Sequence, residues 1–168
     1  SIYNDAKQVS KKGEELKVFQ GLLRQIPKWN INIINSETNR ILTTCDCSDW
    51  LEDLVKAVVK SNIILLTNST PGYSFKYLDE KSYRNIKLAE FIHKCYIECA
   101  REIYNNPFLF YHKYSAIDIK RNQRDSFTLI KDCIKEAIRK LLPVRHILKE
   151  YLGNNYKQED DNNFDTSI

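Results

Sequence analysis

Arg145, His146 and Lys149 stand at i, i+1 and i+4, the spacing of one helical turn, just after Pro143. The chemistry of such a group is anion capture. Phosphates are held where several cationic donors converge, a guanidinium giving paired bonds and an ammonium a point charge. Backbone N–H groups near the start of a helix add to the attraction. Lys135, Arg139 and Lys140 lie upstream of Arg145 and are expected to supply a supporting electrostatic field.

Other chemistry finds less in the sequence. Cys45-x-Cys47 and Cys95-x-x-x-Cys99 offer four thiolates, but structural zinc sites favour C-x-x-C pairs, a spacing neither of them has. Cys95 and Cys99 also share an apolar face with Leu88 and Ile92, where a free cysteine behaves as a small core residue. His93 and His112 are isolated and suit structural hydrogen bonds. The chain shows no glycine-rich phosphate loop, nucleophile elbow or histidine pair at metal spacing. The expectation is therefore a protein that is not an enzyme and carries no metal or other cofactor. Five cysteines at uneven spacing do not form a disulfide framework and point to reduced thiols.

The element that must position the basic residues is the stretch from Ser115 to Gly153. Before Pro143, Phe127, Ile130, Ile134, Ile138 and Leu141 form an apolar stripe at helical spacing. Lys120, Arg124, Lys131, Lys135 and Arg139 form a second stripe, and Asp118, Asp125, Asp132 and Glu136 a third. Such faces commonly hold solvated i,i+4 ion pairs, yet segregation by sign concentrates potential toward a partner. Pro143 should end the helix at about Leu142. A short helix from Val144 to Leu152, capped by Gly153, would complete a corner with the cations gathered around it.

Upstream, Leu16, Phe19, Leu22, Leu23 and Ile26 mark a helix from Glu14 to Ile26, stopped by Pro27, after a loose residue 1–10 segment. Ile31, Ile33, Ile41 and Thr43 around Ser36–Asn39 suggest a β-hairpin. A helix is expected from Trp50 to about Lys60, and a third, buried strand from Ile63 to Thr67. Tyr73, Phe75 and Tyr77 alternate as in an edge strand after Pro71-Gly72. A wide apolar face marks a central helix from about Asn85 to Tyr104, ended by Asn106-Pro107. The predicted class is α+β, mainly helical, with about five helices and a small hairpin or three-stranded sheet.

Length and composition suit one globular domain over residues 1–152, with 42% hydrophobic residues. Residues 153–168 form an acidic tail expected to be disordered. Net charge is +4, and that tail carries four acids against one lysine, so the remainder is near +7. This bias favours anionic partners without choosing among phospholipid, RNA and DNA. No stretch approaches 18 consecutive apolar residues, so contact with a membrane would be peripheral.

The block IKDCIKEAIRKLLPVRHILKEY, Ile130 to Tyr151, resembles the C-terminal helices of the poxvirus membrane-assembly family, phosphoinositide-binding proteins needed for crescent membranes. Ile130, Lys131, Ile134, Glu136, Ile138, Lys149 and Tyr151 match that family. Arg139, Val144, Arg145, Ile147 and Leu148 are conservative. His146 stands where the family has arginine, and Glu150 where it has lysine. FIHKCYIECAREIYNNPFLF and IRKLLPVRHILKEYLG resemble, in addition, an uncharacterised family of large nucleocytoplasmic DNA viruses. The resemblance implies a viral, non-enzymatic protein of the host cytoplasm and viral factory, peripheral on membranes. Its partners would be anionic lipids, phosphoinositides above all, held by Arg145, His146 and Lys149. A nucleic-acid-binding or scaffold protein of a large DNA virus virion is the alternative.

Overall fold

Helix α5, Leu88–Asn105, is the element on which the other helices pack. The structure is a computed structural model that describes residues 2–68 and 85–145. Before α5 come α1 (Ile2–Val9), α2 (Glu15–Leu23), α3 (Ile31–Cys45) and α4 (Leu51–Asn68); α6 (Ala116–Leu141) follows it. Short 3-10 turns occupy Ile26–Lys28 and Pro107–Phe110.

One end of α5 buries Ala100 and Ile103 against Tyr3 and Ala6 of α1, Phe19 and Leu23 of α2, and Ile26. The other end buries Leu88, Phe91 and Ile92 against Val55 of α4 and Ala137 of α6. A single helix thus joins two apolar clusters, which explains why its apolar face is so wide. His93, between them, donates from Nε2 to the Ile26 carbonyl at 2.8 Å and stacks on Trp29. Its role there is structural.

The expected α+β class is corrected to all-α: among the described residues there are six α-helices and no strand. The segment read as a hairpin is α3. Asn30 caps it by accepting from the Ile33 N–H at 3.0 Å. Ile34, Glu37, Thr38, Ile41 and Leu42 turn inward at helical spacing, while Ile31 and Ile33 stay exposed. Thr38 and Thr44 donate their hydroxyls to the carbonyls of Ile34 and Arg40, so the β-branched threonines are accommodated within the helix. Asp46 ends α3 in the left-handed region at φ 48°, a conformation that Asp tolerates better than most residues.

The predicted strand at Ile63–Thr67 is the last part of α4. Val55, Val59 and Ile63 are buried at intervals of four, so one helical face runs through the segment. The expectation of a loose N-terminus is also corrected, since Tyr3 and Ala6 of α1 are buried. The turn between α1 and α2 needs Gly13, whose φ of +94° would strain an L side chain. The expected edge strand at Tyr73–Tyr77 lies outside the described residues.

Helix α6 begins at the Ser115 cap, which accepts from the Asp118 N–H at 3.2 Å. It ends at Leu141; Leu142 is extended at ψ 135°, as a residue before proline should be. Its buried residues are Ser126, Cys133 and Ala137, a small-residue seam that permits close approach to α5. The expected apolar stripe is therefore displaced around the helix: Phe127 is 60% exposed and Ile134 37%. Lys131 lies over the Phe127 ring, 4.5 Å from its centroid.

Candidate functional site

The end of α6 gathers Lys135, Arg139 and Lys140, and Arg145 follows the extended Leu142–Pro143 link. Backbone geometry is helical again at Val144 and Arg145, the last described residues. His146 and Lys149 lie outside the described residues, as does the rest of the expected second helix. Arg145 is exposed and makes no ion pair among the described residues.

The three supporting cations are paired. Lys135 meets Asp132 at 2.8 Å, Arg139 meets Glu136 at 2.7 Å, and Lys140 reaches Glu98 of α5 at 2.8 Å. Arg139 donates from both Nε and Nη2, holding the Glu136 carboxyl below its ordinary range. Basic and acidic stripes thus meet through i,i+3 contacts, and the charge at this end is mixed. Glu98, Glu102, Asp132 and Glu136 also line a hollow of about 270 Å³ between α5 and α6. The pairs that Lys135 and Arg139 make are exposed and screened by solvent, so they exchange readily.

A second feature is a cleft of about 660 Å³ across α5. Cys95, Tyr96 and Cys99 of α5 line it, with Ile33 and Ile41 from α3 and Ile130 and Ile134 from α6. Its polar group is a closed triangle. Arg40 donates to one Glu37 carboxylate oxygen from Nε at 3.0 Å and from Nη2 at 2.8 Å. The Tyr96 hydroxyl donates to that oxygen at 2.7 Å and accepts from Arg40 Nη2 at 2.9 Å. The guanidinium, and then the tyrosine hydroxyl, hold the Glu37 carboxyl below its usual range despite partial burial. Burial, reinforced by Glu37, pushes the Tyr96 hydroxyl up to about 12. Trp29 packs on Tyr96 with ring centroids 5.1 Å apart.

Sequence reasoning missed this cluster. Its signal was the Glu37–Arg40 spacing of i,i+3, which pairs side chains on a helix and was hidden by reading Ser36–Asn39 as a turn. The four cysteines considered for zinc do not converge: Cys45 is exposed and Cys47 buried beside the α3–α4 turn, whereas Cys95 and Cys99 lie with Cys133 between α5 and α6. Among the described residues no group of three or more His, Cys, Asp or Glu side chains is placed to hold a metal ion. No helix among them is long and apolar enough to cross a membrane.

Fold and sites together define an all-α protein with a mixed-charge helical corner and a separate apolar cleft. The chain belongs to the family of unknown function DUF5764, which it matches over residues 1–111. The match takes in α1 to α5, with Trp29, Glu37, Arg40 and Tyr96, and stops before α6 and the basic corner. No curated protein and no solved structure matches the chain.

Proposed function

We propose that this is a non-enzymatic viral membrane-assembly protein that binds anionic phospholipid headgroups, phosphoinositides in particular, at the corner after α6. Arg145 carries the reading: it is exposed, makes no ion pair among the described residues, and is set just beyond the turn bearing Arg139 and Lys140. His146 and Lys149 follow within one turn's length of sequence. The resemblance of Ile130–Tyr151 to the poxvirus membrane-assembly family supports the same assignment. Binding would hold the protein reversibly on membranes in the host cytoplasm at sites of virion assembly. Each cation brought near an anionic surface contributes about 1 kcal/mol, so four or five suffice for peripheral attachment.

Flotation with vesicles containing phosphatidylinositol monophosphates tests the proposal. The Arg145→Glu, Lys149→Glu double variant should stay with the soluble fraction. Equal flotation of variant and parent would remove the corner from the account. Indifference to headgroup, with steeply salt-dependent binding to DNA, would favour the nucleic-acid alternative instead.

A further inference from the structure

We infer that the cleft across α5 is a binding site for a single-chain zwitterionic lipid, of the monoacyl phosphocholine type. Its volume of about 660 Å³ falls in the range of small-molecule sites, which are mostly apolar with a few converging polar groups. Ile33, Ile41, Ile130 and Ile134 provide the wall for an acyl chain. Ile33 is 42% exposed and Ile134 37%, so an occupant would remove apolar surface from water along both sides.

The head is specified by charge and by aromatic faces. Asp5, Glu37 and Arg40 line the cleft, an excess of one formal negative charge among these residues. A fatty-acid carboxylate would meet that excess with no positive group of its own to offset it. An ammonium group meets instead the parts of the Trp29 and Tyr96 rings that line the cleft, beside the Glu37 carboxylate. Aromatic faces of this kind attract quaternary ammonium groups. Arg40 spends Nε and Nη2 on its partners, while Nη1 makes no hydrogen bond among the described residues. The Nη1 donors are left for a phosphate joined to the ammonium nitrogen through two carbons. A head carrying both signs therefore fits where an anion alone does not.

The cleft shares no residue with the corner, so this inference and the headgroup proposal can fail separately. The test is calorimetric titration of the full chain with palmitoyl lysophosphatidylcholine below its micelle-forming concentration. Trp29 emission, read in a Trp50→Phe background, follows the same binding. Saturable binding at one lipid per chain is expected, weakened at least tenfold by Ile134→Gln and by Arg40→Met. Palmitate should bind at least tenfold more weakly than the lysolipid, and Arg145→Glu, Lys149→Glu should leave lysolipid binding unchanged. Circular dichroism verifies each variant, and Ile33→Gln replaces Ile134→Gln should the latter fail to fold. Absence of saturable binding would overturn the inference, as would binding indifferent to the cleft variants. Palmitate binding as tight as the lysolipid would overturn the assignment of the head.

Discussion

Lys140 on α6 reaches Glu98 on α5 at 2.8 Å, across 42 positions of chain. The same carboxylate pairs with Arg101 at 3.0 Å, and its side chain is only 12% exposed. One acid therefore restrains two cations near the proposed headgroup site. Glu98→Gln should release Arg101, leave Lys140 with only its longer 3.6 Å contact to Glu136, and raise binding to phosphoinositide vesicles by up to about fivefold, since a cation near an anionic surface is worth about 1 kcal/mol. Vesicle co-sedimentation at low salt reads the change, and binding that stays level or declines would count against Lys140 as a supporting residue.

The packed face of α6 can be checked by two substitutions with opposite expectations. Ala137 is fully buried against α5, so Ala137→Leu should overpack the seam and cost about 1–3 kcal/mol. Phe127 is 60% exposed, so Phe127→Ala should cost about 1 kcal/mol or less, mainly its contact with Lys131. Urea denaturation of both variants measures the order. A larger loss from Phe127→Ala would restore the stripe read from sequence.

Acid should loosen the contact between the α1–α2 turn and the segment before α6. Glu15 accepts from Lys113 at 2.7 Å and from the Gly13 N–H at 3.0 Å. The lysine's hydrogen bond, above all, lowers the Glu15 pKa. A carboxyl with a depressed folded-state pKa stabilises the fold above its unfolded value, near 4.3, and that stability is lost as pH falls through the folded pKa. Melting temperatures between pH 3 and 7 should decline at the acidic end. The decline should be shallower in Lys113→Met, which removes the main cause of the shift.

Thiol reactivity should divide by position. Cys45 is exposed, whereas Cys47 and Cys133 are buried. Burial pushes the Cys95 and Cys99 thiols up to about 12, leaving little thiolate at neutral pH. One thiol per native chain should react quickly with a disulfide reagent, and Cys45→Ser should abolish that phase. The remaining four should follow on unfolding in urea. Rapid native reaction of several thiols would show that the α5–α6 contact opens.

What the sequence determined by itself was chiefly local. The apolar face of α5, the Ser115 cap of α6 and its end before Pro143 follow from spacing, a capping oxygen and a ring that excludes helical geometry at Leu142. Residues 31–45 and 63–67 were not decided locally, because Ile and Thr suit a pleated surface and also a helix whose hydroxyls find carbonyl partners. Packing on α5 selects the helix, and with it brings Glu37, Arg40 and Tyr96 together from positions far apart in the chain. The same applies to α6. Periodicity marked an apolar stripe, but close approach to α5 is made through Ser126, Cys133 and Ala137, so the bulkier Phe127 and Ile134 turn outward. Which cations have carboxylate partners is likewise a tertiary matter, since Glu98 meets Lys140 only once α5 and α6 are packed together.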